Sequence, residues 1–339
     1  MRITTSMIMR NYRGNLNSTL VDLERTRKQV ETGRRIDSAY QDPSAAAKGA
    51  VLEHRYSRNE DYINSAKNAQ TWLDTQEDVI NQLNSVAVRV HEDYAPSAAT
   101  DTSGTSGRDA YAATLREMQM SMIHALNSKY GDSYVMAGSD GKNPPFSVDD
   151  KGNVLYRGIN VTTGEGDGIA DPADGLALLE KYAKETSYVD LGFGLSFANG
   201  EVVPSSALDT AMPGINLVGF GEDDGISNNI IVLMGQMADM LEADDFDRDN
   251  FEKAWMRVSE KTEELQDQFT KIGAKGQLLD ATTSKLETEK LNIETQYKDA
   301  LGIEASKAIT DYSYANYVYN AALKVGTSIL TPSLLDFMK

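Results

Sequence analysis

Cysteine is absent from all 339 residues, which removes disulfide frameworks, thiolate nucleophiles and thiolate metal sites from consideration. Histidine is nearly absent: His54, His91 and His124 are the only three, and no pair has ligand spacing. No metal or cofactor is therefore expected, and each histidine reads as solvated or as lying at a seam edge. Proline is missing from most of the two flanks, since five of the eight prolines and fifteen of the 26 glycines fall within residues 138–225. No apolar run reaches the roughly 18 residues that a membrane-spanning helix needs. The opening Met1-Arg2-Ile3-Thr4-Thr5-Ser6-Met7 leads to Arg10 and Arg13 rather than to an apolar stretch, so no cleavable signal peptide is expected.

Basic charge is also short. Thirty-three Lys and Arg face 51 Asp and Glu, a net of −18. Nucleic acid and anionic membrane surfaces both need clustered cations, so neither is expected as a partner. The deficit is uneven: residues 1–60 carry +4 (eleven basic, seven acidic) and residues 140–250 carry −15 (six basic, twenty-one acidic). The acidic middle reads as a solvated surface, and the N-terminal end does not.

What is present is helical periodicity on either side of a Gly/Pro-rich middle. Leu16, Leu20, Leu23 and Val30 place a narrow stripe on a helix from about Asn15 to Thr32, with Gly33 suited to its C′ position. Asp42-Pro43 restarts a helix, as N-cap and first helical residue. Between Pro43 and Tyr94, the positions Tyr62, Ala66, Ala69, Leu73, Gln76, Ile80, Leu83, Ala87, Val90 and Tyr94 alternate by four and three, a sustained heptad seam. Residues 95–107 read as a turn, and Arg108 to Tyr130 as a third helix. The middle reads as short strands: Phe146-Ser147-Val148 and Val154-Leu155-Tyr156 around an Asp149–Asn153 loop, and a strand within Tyr188 to Phe197. A short helix fits Asp174 to Lys184. Helix resumes near Ile226, breaks at Glu242 to Asp249, and continues with Phe251, Trp255, Val258, Thr262, Leu265, Phe269, Ile272, Leu279, Leu286 and Ile293 on its seam. A last helix carries Ile309, Tyr312, Tyr319 and Leu323.

The fold class expected is mainly α, an elongated antiparallel bundle or coiled-coil rod made from both chain ends, with a small inserted β-rich domain. The expected division is 1–42 with 301–339 as terminal helices, 43–138 with 226–300 as the rod, and 139–225 as the insertion. The terminal stripes are narrow, and two such helices packed on each other alone are marginal. Self-association of many copies completes their burial, whereas membership in one large bundle accounts for the same pattern equally well.

The chain's nearest approaches to catalytic and ligand-binding patterns are incomplete. Asp245-Phe246-Asp247-Arg248-Asp249-Asn250 has Asn250 where a calcium loop needs Gly and Met256 where it needs Glu. Gly192-Phe193-Gly194 and Gly219-Phe220-Gly221 lack the third glycine of a dinucleotide fingerprint. The dense Tyr312, Tyr314, Tyr317 and Tyr319 read as packing within or between subunits rather than as a ligand platform.

Several segments, in order along the chain, resemble the flagellin and hook-associated family, and most closely its hook-filament junction members. These are Met1-Arg2-Ile3-Thr4-Thr5, Gly33-Arg34-Arg35-Ile36 running into Asp42-Pro43-Ser44-Ala45-Ala46, Tyr134-Val135-Met136-Ala137-Gly138-Ser139, Gly152-Asn153-Val154-Leu155-Tyr156-Arg157-Gly158, and the ending Ser333-Leu334-Leu335-Asp336-Phe337. Residues 159–225 match nothing in that pattern. The resemblance implies a structural, non-enzymatic part of the bacterial flagellum, exported without a cleaved signal through the flagellar type III apparatus. It implies a ring-forming adaptor between hook and filament, on which flagellin is built. Its implied partners are copies of itself, the first junction protein on the hook side, flagellin on the filament side, and a cytoplasmic export chaperone at the C-terminal region. Leu16, Leu20, Leu23, Val30, Ile309, Tyr312, Tyr319, Leu323, Leu334, Leu335 and Phe337 are the expected assembly residues. The alternatives are a filament subunit and, less favoured, a ligand-binding or enzymatic module in the middle.

Overall fold

The computed structural model describes residues 5–100 and 105–330. The initial Met1-Arg2-Ile3-Thr4 and the expected assembly residues Leu334, Leu335 and Phe337 lie outside them. Long helices dominate: α1 (Thr5–Thr32), α2 (Pro43–Arg89), α3 (Ala95–Thr100), α4 (Thr105–Leu126), α5 (Pro172–Ala183), α6 (Gly214–Val218), α7 (Ile230–Glu242), α8 (Arg248–Leu301) and α9 (Ala305–Leu330). Eleven strands of two or three residues lie between α4 and α7 among the described residues. The chain is therefore mainly helical with small sheets in its middle. It divides into two compact units, residues 62–285 and residues 1–61 with 286–339.

The unit of residues 62–285 holds one large apolar core. The heptad seam of α2 supplies one wall: Ala66, Leu73, Gln76, Ile80, Leu83 and Ala87 are all buried. Within this unit α8 runs antiparallel beside it. Trp255 bonds to His91 near one end, while Gly276 faces Gln70 farther along. Phe251, Val258, Leu265, Ile272 and Leu279 are the buried α8 counterparts. A second layer packs α4 on α7, the most extensive helix pairing of the unit. Asn229 starts α7: its carboxamide oxygen accepts from the N–H groups of Ile231 and Val232, and its Nδ2 donates to Gly219 O at 2.7 Å.

The sheets are hairpins. β3 (Phe146–Val148), β4 (Val154–Tyr156) and β5 (Ile159–Asn160) form the three-stranded one, with Phe146 opposite Tyr156 and Tyr156 opposite Ile159. Arg157 and Gly158 turn between β4 and β5 with φ of 51° and 84°, the left-handed pair that a two-residue type I′ turn needs. Arginine tolerates this because its guanidinium is anchored, 3.0 Å from Glu185 and 4.1 Å above the Tyr182 ring. β1 (Lys129–Tyr130) with β2 (Ser133–Tyr134), β7 (Phe197–Ala198) with β8 (Glu201–Val202), and β10 (Glu222–Asp223) with β11 (Ile226–Ser227) are two-stranded hairpins, and β6 (Tyr188–Val189) pairs with β9 (Leu208–Asp209).

Several boundaries differ from the sequence reading. α1 begins at Thr5 rather than near Asn15. Arg108 to Tyr130 shortens to end at Leu126, since Lys129 to Tyr134 is a hairpin around Gly131. Ile226 lies in β11, and helix resumes at Ile230. The expected turn from residue 95 is partly helix. Val90–Tyr94 forms a wide π turn, in which Ala95 N–H reaches Val90 O, and α3 follows. Pro96 has no N–H to place, so the widened turn lets the helix continue through it.

Candidate assembly surface

The terminal helices form the second unit together with the start of α2 and the end of α8. α1 and α9 pack on each other along small residues. The Tyr12 hydroxyl donates to Ala322 O at 3.1 Å, and Gly326 lets the Tyr12 ring lie against α9. Thr26 on α1, with Ala308 and Gly326 on α9, complete the tightly buried set of this pair. None of the three has a large side chain, so the contact excludes little water.

Leu16, Leu23, Tyr312 and Tyr319 are half-buried in this contact region. Leu20, Val30, Ile309 and Leu323 are exposed. The stripe residues thus fall into two groups, one turned toward the partner helix and one toward solvent. The structure adds Met7, Ile8 and Val21 as exposed apolar positions, and it shows Val325 exposed beside the stripe and Tyr314 and Tyr317 exposed at 70% and 71%. α9 carries only Lys307, Asp311 and Lys324 as charges over 26 residues. Ser306, Thr310, Ser313, Asn320, Lys324 and Thr327 make one exposed polar stripe along it, and the exposed apolar side chains lie beside that stripe.

Magnitudes decide what such a surface does. Covering a half-exposed Leu, Ile, Val or Tyr contributes about 1 kcal/mol, so Leu20, Val21, Ile309, Tyr314, Tyr317, Leu323 and Val325 together offer about 7 kcal/mol. Bringing two proteins together costs about 4–15 kcal/mol. One contact on this face is therefore marginal, and several simultaneous contacts are not.

Two linkers join the terminal helices to α2 and α8, and they are bonded to each other. Arg35 N–H donates to Leu301 O at 2.7 Å, and Ile303 N–H donates to Gly33 O at 3.0 Å. Gly33 adopts φ 64°, which ends α1 in the left-handed conformation. Asp42 caps α2 by accepting from Ala45 N–H at 3.0 Å, and it pairs with Arg35 at 3.0 Å. The Ala45 N–H, with the Arg35 guanidinium beside it, holds the Asp42 carboxyl below the usual carboxylate range.

Among the described residues no three His, Asp or Glu gather as metal ligands, and no helix is long and apolar enough to cross a membrane. The acidic stretch before α8 has a local use instead. Asp247 accepts from the N–H groups of Asp249 and Asn250, capping the helix. His54 and His124 are exposed. His91 is not simply solvated: it accepts from the Trp255 indole N–H at 2.8 Å, within the π turn.

A helix from the start of the chain paired with one from its end, flanking small sheets, belongs with the resemblance drawn from the motifs. Residues 3–140 match the bacterial flagellin N-terminal helical region. Flagellar hook-associated protein 3 of Salmonella typhimurium is 24% identical over 147 residues, covering 43% of this chain and 46% of that protein. Its namesake in Escherichia coli K12 is 26% identical over 157 residues, covering 46% and 49%. The chain thus spans about half the length of these sequence relatives. Among solved structures, FlgL of Xanthomonas campestris shares the fold, with a TM-score of 0.55 over 73% of this chain and 99% of that one at 14% identity.

Proposed function

We propose that this protein is a structural subunit of the bacterial flagellum. It forms a ring at the hook-filament junction, on which the flagellin filament is built. The observation that carries the reading is the apolar surface of α1 and α9, left open in the single chain, on a protein whose sequence relatives are hook-associated protein 3. Neighbouring copies cover Leu16, Leu20, Leu23, Val30, Ile309, Tyr312, Tyr319 and Leu323, and the same role extends to Leu334, Leu335 and Phe337. In this reading 1–42 with 301–339 is the assembly-dependent part, 43–138 with 226–300 is the rod, and 139–225 faces outward.

The partners are the first junction protein on the hook side, flagellin on the filament side, and an export chaperone that holds the C-terminal region before passage through the type III apparatus. The protein acts by packing and has no catalytic role. A filament subunit is the second reading, favoured by the match to the flagellin N-terminal helical region. Deleting the gene discriminates the two. The junction reading expects flagellin in the medium and hooks left bare, restored by supplying the gene. Filaments that still grow on the deleted strain's hooks would refute it.

A further inference from the structure

Beside the bonded linkers, where α2 begins and α8 ends, lies a crevice of about 810 Å³. Its floor includes Ala45 and Leu52, both buried, and its lining carries Arg35, Asp42, Lys48 and Asp299. These are two cations and two anions, and Arg35 already pairs with Asp42 at 3.0 Å. A charged guest would disturb a balanced set. An uncharged guest with an apolar body and a polar tip would fill the floor and leave the charges as they are.

The same unit displays such a guest. Ser38-Ala39-Tyr40-Gln41, in the linker between α1 and α2, carries no charge, and Tyr40 is 82% exposed, the most open of the large apolar and aromatic side chains among the described residues. The segment is held in shape. Gln41 N–H donates to Ser38 O at 3.0 Å, Asp37 N–H donates to Gln41 Oε1 at 3.0 Å, and Lys28 pairs with Asp37 at 2.9 Å. Little ordering remains to be done when Tyr40 meets a partner. Its exposure also shows that Tyr40 does not occupy the crevice of its own chain.

We propose that Tyr40 of one copy seats in this crevice of the next copy. The inference rests on the self-association reading and names the contact it uses. Knob and socket are different patches of one molecule, so a contact used in one direction per pair is heterologous and propagates into rings or ladders, whereas a reciprocal exchange would close as a two-fold dimer and stop the covalent products at dimers.

The absence of cysteine makes the test clean. A full-length Tyr40→Cys/Val51→Cys variant carries the only two thiols, because Val51 also lines the crevice and is itself exposed. The variant is supplied to a deletion strain, the assembled flagella are oxidised mildly, and the products are run without reductant. The expected result is a covalent ladder extending beyond dimers, with each single variant giving monomer. Three outcomes overturn the contact while leaving the junction reading intact: no ladder although motility is restored, dimers from Tyr40→Cys alone, or an intramolecular bond within the monomer. If the unaltered chain itself fails to restore filaments to the deletion strain, the junction reading falls and this contact falls with it. Tyr40→Asp should lower assembly at least tenfold while Tyr40→Phe retains most of it; equal assembly by both would also overturn the contact.

Discussion

Two glycines in the terminal helix pair should respond to the same substitution with opposite sign. Gly14 on α1 has nothing within 4 Å of the place a Cβ would occupy. Gly14→Ala should therefore stabilise the helix by about 1 kcal/mol through propensity alone. At Gly326 on α9 the added methyl would overlap the Tyr12 hydroxyl and ring. Tyr12 must then swing away. That loses its bond to Ala322 O, about 1 kcal/mol, and its half-buried ring contact, another 1 kcal/mol or so. The propensity gain of about 1 kcal/mol offsets half of this, leaving Gly326→Ala destabilising by about 1 kcal/mol. Amide hydrogen exchange of α1 and α9 in the lone chain reads the difference. Exchange should run about fivefold faster with Gly326→Ala and about fivefold slower with Gly14→Ala. In a Tyr12→Ala background, Gly326→Ala should turn stabilising. Slower exchange from Gly326→Ala with Tyr12 present would refute the close approach on which the packing of this pair rests.

Other perturbations probe other links. Leu323→Asp alters an exposed position of the single chain, so its melting should change by less than about 0.5 kcal/mol while motility is lost; motility equal to wild type would remove Leu323 from the assembly face. Asn229→Ala removes the cap of α7 and leaves the Gly219 carbonyl without its donor, which should cost about 3 kcal/mol in denaturant unfolding of the 62–285 unit; a change under 1 kcal/mol would show that neither bond matters there. Asp42 has a depressed carboxyl pKa, so its contribution is present above the unfolded carboxylate pKa and is lost as pH falls through the lower folded value. Acid should therefore fray the start of α2, seen as faster proteolysis near residue 45, and Asp42→Asn should flatten that dependence.

The seams of the long helices were readable because burial imposes a period. Leu73, Ile80 and Leu83 sit where the four-three alternation puts them, and so do Val258, Leu265 and Ile272. The β3–β4 hairpin was also readable, since Asp149 and Gly152 supply turn chemistry between two apolar runs. The π turn was not. Ala95-Pro96 looks like a helix stop, and only the i to i−5 bond into Val90 O reveals continuity. The hairpins at Asn199-Gly200 and Asp224-Gly225 escaped because strands of two residues carry no alternation to detect. The open face of the terminal pair was partly legible. Leu20 and Leu323 follow from the stripe and Val325 lies beside it, whereas Val21 lies off it and declares itself only when exposure is known. Tyr40 gave no periodic signal at all, because it sits in a linker.

Limited proteolysis of the lone chain, set beside the same digestion of assembled flagella, tests most directly whether the terminal helices depend on neighbours for their burial. The account predicts that residues up to about 40 and from about 300 are trimmed first from the single chain, leaving the 62–285 unit intact, and that assembly protects both ends. Equal resistance of α1 and α9 in the lone chain and in the assembly would contradict it.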